Sequence, residues 1–505
     1  MISEKLQKAR DYVAEQGAHI PPENYPLFHV TPVVGWLNDP NGFSVYKGEY
    51  HIFYQYHPYG LQWGPMHWGH SKSRDFVRWE RLPVSLAPDE DYDHNGCFSG
   101  SAAELPDGRH LLMYTAGKII SQEDGTPKKL QIQCLAIGDG VDYEKFSGNP
   151  VMDGSVLPPE GIDLDFRDPK IWLEGDIWYA VIVNRIRDET AGCNTGAVLL
   201  YSSANLEDWE LAGQLDCSHN EYGKMWECPD FFQLDGKQVL LVSPQEMETK
   251  DPALHEGHVA LCLLGDWDGK TFTRRSVQPV DQGLDFYAPQ TLLTPDGRRI
   301  MIGWMQSEFT KYVPDGSQWF GMFSLPRELR IQDGRLIQSP VRELENYRKE
   351  QTVYQNVRIS APLSLPGICG RTLELNLTVR PVEGETYDNF ILKFAQNSRY
   401  FTSLTFDPIR NVLVLDRSQS GFPRGIKTPN GYPAGVIHQR TVPLLEERDE
   451  LRLRVLLDRY SAEIYVNGGE QVLTVTFYTP QTADGIIFDS EGTASLDVEQ
   501  YRLEI

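Results

Sequence analysis

Three carboxylates in this chain sit in short polar motifs that interrupt apolar stretches, and together they could do acid and base chemistry. Asp39 lies in Gly35-Trp-Leu-Asn-Asp-Pro-Asn-Gly42, Asp168 in Arg167-Asp168-Pro169, and Glu227 in Trp226-Glu227-Cys228-Pro229. Pro40 fixes its own φ and removes a backbone donor, and Asn41-Gly42 is a turn pair, so Asp39 belongs where a strand bends. The same letters suit an Asx-capped turn, and the motif alone does not decide between the two. A repeat does. Lys/Asp-Gly type turns place glycines at 48, 108, 175, 236 and 297, which are 60, 67, 61 and 61 residues apart. Nine residues before each glycine stand Asp39, Ser99, Phe166, Glu227 and Ala288, with Asp168 two residues past the third. Like charges gathered in a partly dry cleft cannot all ionise freely, so at least one pKa must rise. Two carboxylates in different protonation states are what cleavage of a glycosidic bond requires.

The elements that must position these acids follow from the same repeat. A strand-like run follows each turn: Tyr50–Tyr54, His110–Tyr114, Ile177–Val181, Gln238–Val242 and Arg299–Gly303. Paired with the run before the turn, each makes a hairpin. Asp75-Phe-Val-Arg-Trp79, Asp208-Trp209 and Asp266-Trp267 mark an outer strand later in the unit. Five units of short strands that cannot bury their faces alone predict a five-bladed β-propeller, whose inner strands line one channel. Trp36, Trp63, Trp68, Phe98, Trp226 and Trp304 are candidates for stacking on a sugar face, although each taken singly suits core or blade packing better. His67 and His70 resemble a metal pair but lack a third ligand in register, so they are read as structural and no metal site is expected.

Composition narrows the function classes. The chain has 505 residues, and 47 Lys+Arg against 71 Asp+Glu give a net charge of −24, which repels phosphate backbones and anionic lipid. Nucleic acid and membrane are therefore not expected as partners. The seven cysteines contain no C-x-x-C pair and signal neither a disulfide framework nor zinc. The N-terminus is charged from the start and lacks an apolar signal region, so a cytoplasmic location is expected.

The chain divides into an N-terminal helical extension (1–27), the propeller (28–335), a short helical linker (336–352) and a β-sandwich (353–505). Leu6, Ala9 and Val13 set the extension's amphipathic helix. Alternation in Leu373-Leu375-Leu377-Val379 and Leu451-Leu453-Val455 sets the strands of the sandwich.

Trp36-Leu-Asn-Asp-Pro-Asn-Gly42, Gln55, Trp63-Gly-Pro-Met-His-Trp-Gly-His70, Phe98-Ser-Gly-Ser101, Arg167-Asp168-Pro169 and Glu227-Cys228-Pro229 together resemble the β-fructofuranosidase family, glycoside hydrolase family 32. That family includes invertases and sucrose-6-phosphate hydrolases. The tail resembles its C-terminal sandwich down to Asp458-Arg459 and Ile464-Tyr-Val-Asn467. The resemblance implies a retaining hydrolase that needs no cofactor. Asp39 matches the nucleophile, Glu227 the general acid/base, and Asp168 the acid that bonds fructose hydroxyls and stabilises the transition state. Asn38, Gln55, Trp63, Phe98, Ser99 and Arg167 match substrate contacts, as do Tyr287 and Trp304. The expected partner is a small fructoside: sucrose, sucrose-6-phosphate or a short fructo-oligosaccharide. A fructosyltransferase on the same scaffold and a non-catalytic sugar-binding propeller are the alternatives. Selectivity for a phosphorylated sugar would need local cations, for which Arg298, Arg299, Lys311 and Arg327 are the candidates.

Overall fold

The computed structural model of the chain describes residues 2–122, 124–188, 192–248, 251, 253–307, 311–421 and 437–505. Five sheets built of antiparallel hairpins follow one another, the first also carrying Trp319–Phe320 parallel to Gly35–Tyr46. Their inner strands are Gly35–Tyr46, Gly96–Glu104, Gly161–Glu174, Met225–Leu234 and Tyr287–Leu293. Each pairs through a tight hairpin with the next strand: Glu49–His57, His110–Ser121, Ile177–Asp188, Lys237–Gln245 or Arg299–Trp304. The architecture is the five-sheet propeller followed by a two-sheet sandwich. The Asp-Trp signals sit at the step from the third to the outer strand, and Asp266-Trp267 closes the third strand itself.

Alternate residues of each second strand feed different blade interfaces. Leu112 and Tyr114 pack with Phe53 and Trp68 of the first blade, whereas Leu111 and Met113 pack with Ile171 and Ile182 of the third. Likewise Met301 joins the fourth blade, while Ile300 and Ile302 join the first and close the ring. Both faces of these strands are covered, so they read as continuous apolar runs rather than as an alternation.

The N-terminal helix spans Glu4–Gly17, capped by Ser3 Oγ accepting from the Leu6 N–H at 3.1 Å, and buries Leu6 and Ala9. The stretch 336–352, read from sequence as a linker, belongs to structure on both sides. Arg335–Pro340 is the outer strand of the fifth blade, paired from Arg327↔Pro340 to Gln332↔Arg335, and it covers what would otherwise be an open edge. A 3₁₀ turn at Arg342–Tyr347 leads directly into Arg348–Ile359, which pairs with Ala494–Leu503 in the sandwich.

Sandwich and propeller meet through buried charge. Arg327, fully buried, donates to Glu463 Oε2 at 2.8 Å and to Asp281 Oδ2 at 3.0 Å. His29 bridges Asp458 at 2.8 Å and Glu463 at 3.1 Å. Burial alone would deprotonate His29, but its bonds to the two carboxylates win and raise it to about 9. Between the ordinary value of 6.5 and about 9 the folded chain therefore holds a proton that the unfolded chain releases, so stability falls as pH rises through that window. We expect wild-type unfolding free energy to drop by on the order of 2 kcal/mol from pH 7 to 9.5. His29→Gln should be flat over the same range. Denaturant titrations at fixed pH check this, and a wild-type curve that stays level or rises would contradict it.

Candidate active site

Each inner strand carries a β-bulge at one height of the channel. The register slips between Leu37 and Pro40, Cys97 and Gly100, Arg167 and Lys170, Glu227 and Asp230, and Tyr287 and Gln290. Four of the five bulges contain an X-Pro step: Asp39-Pro40, Asp168-Pro169, Cys228-Pro229 and Ala288-Pro289. Proline has no N–H to lose where the ladder is interrupted, so it fits the place where two residues face one. The second blade has Gly100 there instead, because a Cβ would stand 2.0 Å from the Met113 carbonyl oxygen. Asp168, Cys228 and Ala288 hold positive φ angles of 63°, 47° and 51°. Left-handed backbone costs an L-residue about 1–2 kcal/mol, and here it re-aims the side chains at the channel mouth.

The five bulge motifs read Asn38-Asp39, Phe98-Ser99, Arg167-Asp168, Glu227-Cys228 and Tyr287-Ala288. They converge. Ser99 Oγ donates to Asp39 Oδ2 at 2.8 Å, and Gln55 Nε2 donates to the same oxygen at 3.0 Å. The Cys228 thiol lies 3.8 Å from both Asp39 Oδ2 and Asp168 Oδ2, so these two acids flank one sulfur. The Cys228 N–H donates to Asp168 Oδ2 at 3.0 Å, and Thr115 Oγ1 accepts from the Asp168 N–H at 2.9 Å. Glu227 is held at both oxygens, by Arg167 Nε at 3.1 Å and by the Tyr287 hydroxyl at 2.7 Å.

These groups line a cavity of about 470 Å³ with Trp36, Asn38, Gln55, Trp63, Phe98 and Trp304. Of the eleven site residues expected from sequence, ten line it, and Ser99 lies buried directly beneath Asp39. Trp63 is half exposed at the rim, 5.6 Å between centroids from Phe98. Trp68 and Trp226 do not reach the cavity; both are fully buried blade packing, with their indoles donating to Phe98 O and Tyr222 O. His67 and His70 separate as well: His67 meets Pro65 O, and His70 meets His51. Among the described residues no group of three His, Cys, Asp or Glu side chains is placed to hold a metal.

Sequence reading missed the support beneath the acids. Thr115 donates to Gln133, which donates to Phe166 O, and this buried chain backs the Asp168 bulge. Gln131, Lys129, Gln245 and His258 also line the cavity. None of these carries a local sequence signal, whereas Cys228, which also supports the acids, is marked by its place beside Glu227 in a bulge motif.

Burial, and then the charge of Glu227, pushes Asp39 up to about 6 against the bonds from Ser99, Asn38 and Cys228. Burial likewise raises Asp168, opposed by the Arg167 guanidinium and reinforced by Glu227. Burial keeps the Cys228 thiol and the Tyr287 phenol protonated, the neighbouring carboxylates adding to it, so both act as donors. If ionised Asp39 is the attacking group, kcat/KM should fall as pH drops through about 6, approaching tenfold per pH unit below it. A pH profile on an uncharged fructoside checks this; an acid limb that only begins near pH 4 would contradict it.

The family model for the glycosyl hydrolases family 32 N-terminal domain matches residues 29–340, and the model for that family's C-terminal domain matches residues 343–503. A sucrose-6-phosphate hydrolase of Zymomonas mobilis is 35% identical over 505 aligned residues, spanning 97% of this chain and 94% of that protein. A raffinose invertase of Escherichia coli is 38% identical over 461 residues, 90% of this chain and 89% of that protein. Among solved structures, a β-fructofuranosidase of Bombyx mori superposes with a TM-score of 0.81 at 31% identity, covering 99% of this chain and 98% of that one.

Proposed function

The chain belongs to glycosyl hydrolase family 32, the family of β-fructofuranosidases, invertases and sucrose-6-phosphate hydrolases, and from that premise we propose that Asp39 is its nucleophile, Glu227 its general acid/base and Asp168 its transition-state stabiliser. One observation supports this division most: Arg167 and Tyr287 hold the two oxygens of Glu227, while Gln55, Ser99 and Cys228 address a single oxygen of Asp39. Two differently oriented carboxylates then face one cavity. Asp39 attacks the anomeric carbon of a terminal β-fructofuranosyl unit as Glu227 protonates the departing glycosidic oxygen. Glu227, now a carboxylate, takes a proton from water, which displaces Asp39 and releases fructose. Asp168 accepts hydrogen bonds from fructose hydroxyls that strengthen as the ring gains oxocarbenium character. Gln55 Oε1 and Trp304 Nε1, buried and without a partner among the described residues, add an acceptor and a donor for sugar hydroxyls.

The substrates of this reading are sucrose and short fructo-oligosaccharides, with sucrose-6-phosphate accepted but not selected. The four candidate cations do not form a phosphate cluster. Arg298 is paired with Asp296, Glu328 and Glu343, and Arg327 is locked in the domain junction. Arg299 lies over Phe232 in the opposite mouth of the propeller. Lys311 alone is beside the site, 5.9 Å from the Trp36 ring. Among the described residues no helix is long and apolar enough to cross a membrane, and the seven unpaired thiols support a reducing, cytoplasmic setting for the reading. A panel of sucrose, sucrose-6-phosphate and kestose, followed by release of glucose and fructose, tests it. We expect equal glucose and fructose from sucrose. The kcat/KM for sucrose-6-phosphate should stay within about a hundredfold of that for sucrose, roughly 2.7 kcal/mol of transition-state binding. A larger preference would establish a dedicated phosphate subsite, and glucose in excess of fructose would establish transfer.

A further inference from the structure

Between the fourth blade and the inner strand of the fifth, the run 282–285 is laid along the sandwich, while Val280 and Phe286 on either side pack in the propeller. Gln282 N–H donates to Val472 O at 2.8 Å, and the Leu284 and Asp285 N–H groups donate to Thr474 O at 2.8 and 3.1 Å. Val472 and Thr474 belong to Gln471–Thr476, the edge strand of the six-stranded sheet, so the propeller supplies the cover for that edge. The approach is close enough that a Cβ at Gly283 would stand 2.1 Å from the Thr474 nitrogen. The run ends at Asp285, which is fully buried. Its Oδ2 accepts from Thr476 N at 2.7 Å, from Thr476 Oγ1 at 2.9 Å and from the buried Arg417 guanidinium. Two residues later the inner strand begins at Tyr287, whose hydroxyl holds Glu227 Oε2.

We propose that Asp285 is a positioning residue through which the sandwich, by Arg417 and Thr476, sets the Tyr287 hydroxyl on Glu227. The C-terminal domain thereby takes part in leaving-group protonation. This rests on Glu227 being the acid/base. Phe286, between anchor and tyrosine, is clamped under the Arg327 guanidinium at 4.5 Å, so little slack remains between Asp285 and Tyr287 to absorb a displacement. A charge-assisted bond lost at Asp285 is expected at the Tyr287 hydroxyl as a loss of alignment rather than as a loss of sugar binding.

The test compares Asp285→Asn, the milder Thr476→Val and Tyr287→Phe on two substrates. Sucrose needs its leaving group protonated, and p-nitrophenyl β-D-fructofuranoside does not. We expect each variant to lower kcat on sucrose, about tenfold for Asp285→Asn and Tyr287→Phe and about threefold for Thr476→Val. KM should be little changed, and the loss on the aryl substrate should be under about twofold. In the Tyr287→Phe background, Asp285→Asn should add almost nothing, because both act through one hydroxyl. Equal losses on the two substrates, or multiplicative losses in the double variant, would overturn the proposal, and so would wild-type kcat on sucrose in a folded Thr476→Val and Asp285→Asn pair. Glu227→Gln serves as the control. If its first step, read as kcat/KM on the two substrates, shows no leaving-group dependence, the acid/base assignment has failed rather than the relay.

Discussion

Asp39→Asn is expected to reduce kcat on sucrose by on the order of 10⁴-fold or more while leaving circular dichroism unchanged. The side chain keeps its shape, and an amide oxygen can still accept from Gln55 and Ser99, but the amide cannot form the fructosyl ester. The same substitution is expected to stabilise the fold. Asp39 is held up to about 6 by burial and by Glu227, whereas the unfolded chain releases that proton near 3.8. Across that interval the folded state binds more protons, so wild-type stability falls as pH rises and the deficit is complete above about 6. Asn carries no such deficit, so the variant should gain on the order of 3 kcal/mol at pH 7, and the gain should fade toward pH 4. Full activity in a folded Asp39→Asn would sink the nucleophile assignment. A stability gain that grows on acidification would sink the electrostatic account of the site.

Glu227→Ala carries the second large effect. On sucrose, both protonation of the leaving oxygen and activation of water are lost, and kcat should fall by about 10³-fold or more. On p-nitrophenyl β-D-fructofuranoside the first step survives, and the fructosyl-enzyme waits for a nucleophile that needs no base. Azide should therefore restore turnover and yield the β-fructosyl azide, since two displacements at one carbon retain configuration. Asp39→Ala should not be rescued with retention. Absence of azide rescue on the aryl substrate would contradict the assigned role, as would rescue that yields the α-azide.

Much of this is legible in the sequence, for reasons particular residues show. The Gly48, Gly108, Gly175, Gly236 and Gly297 turns fix a hairpin per blade, and a fixed hairpin fixes the height at which the inner strand bends. Counting back nine residues drifted in the third and fourth blades, because Pro169 and Pro229 stand six and seven residues before their glycines while Pro40 and Pro289 stand eight. Aligned on the bulges instead, Asn38, Phe98, Arg167, Glu227 and Tyr287 form one column and Asp39, Ser99, Asp168, Cys228 and Ala288 the next. A bulge is a backbone event with no letter of its own, and only the prolines hint at it. Burial was less legible than position. Trp68 and Trp226 have the same letters and neighbourhood as Trp36 and Trp63, yet they face the blade interfaces, a difference of strand parity that an interrupted register hides. The Thr115–Gln133 chain and the Asp285–Arg417 clamp join residues far apart in sequence. No local pattern announces such pairs. The linker was misplaced because Arg335–Pro340 is a short outer strand whose partner, Arg327–Gln332, is equally polar.

The most direct measurement is to find where the fructosyl unit is bound during turnover. Glu227→Ala, mixed with p-nitrophenyl β-D-fructofuranoside and quenched in acid within the burst, should yield one proteolytic peptide heavier by a single fructosyl unit. That peptide should be the one holding Asp39, with the label mapping to its carboxylate. A label on the Asp168 peptide, or a burst of nitrophenol with no labelled peptide at all, would contradict the account.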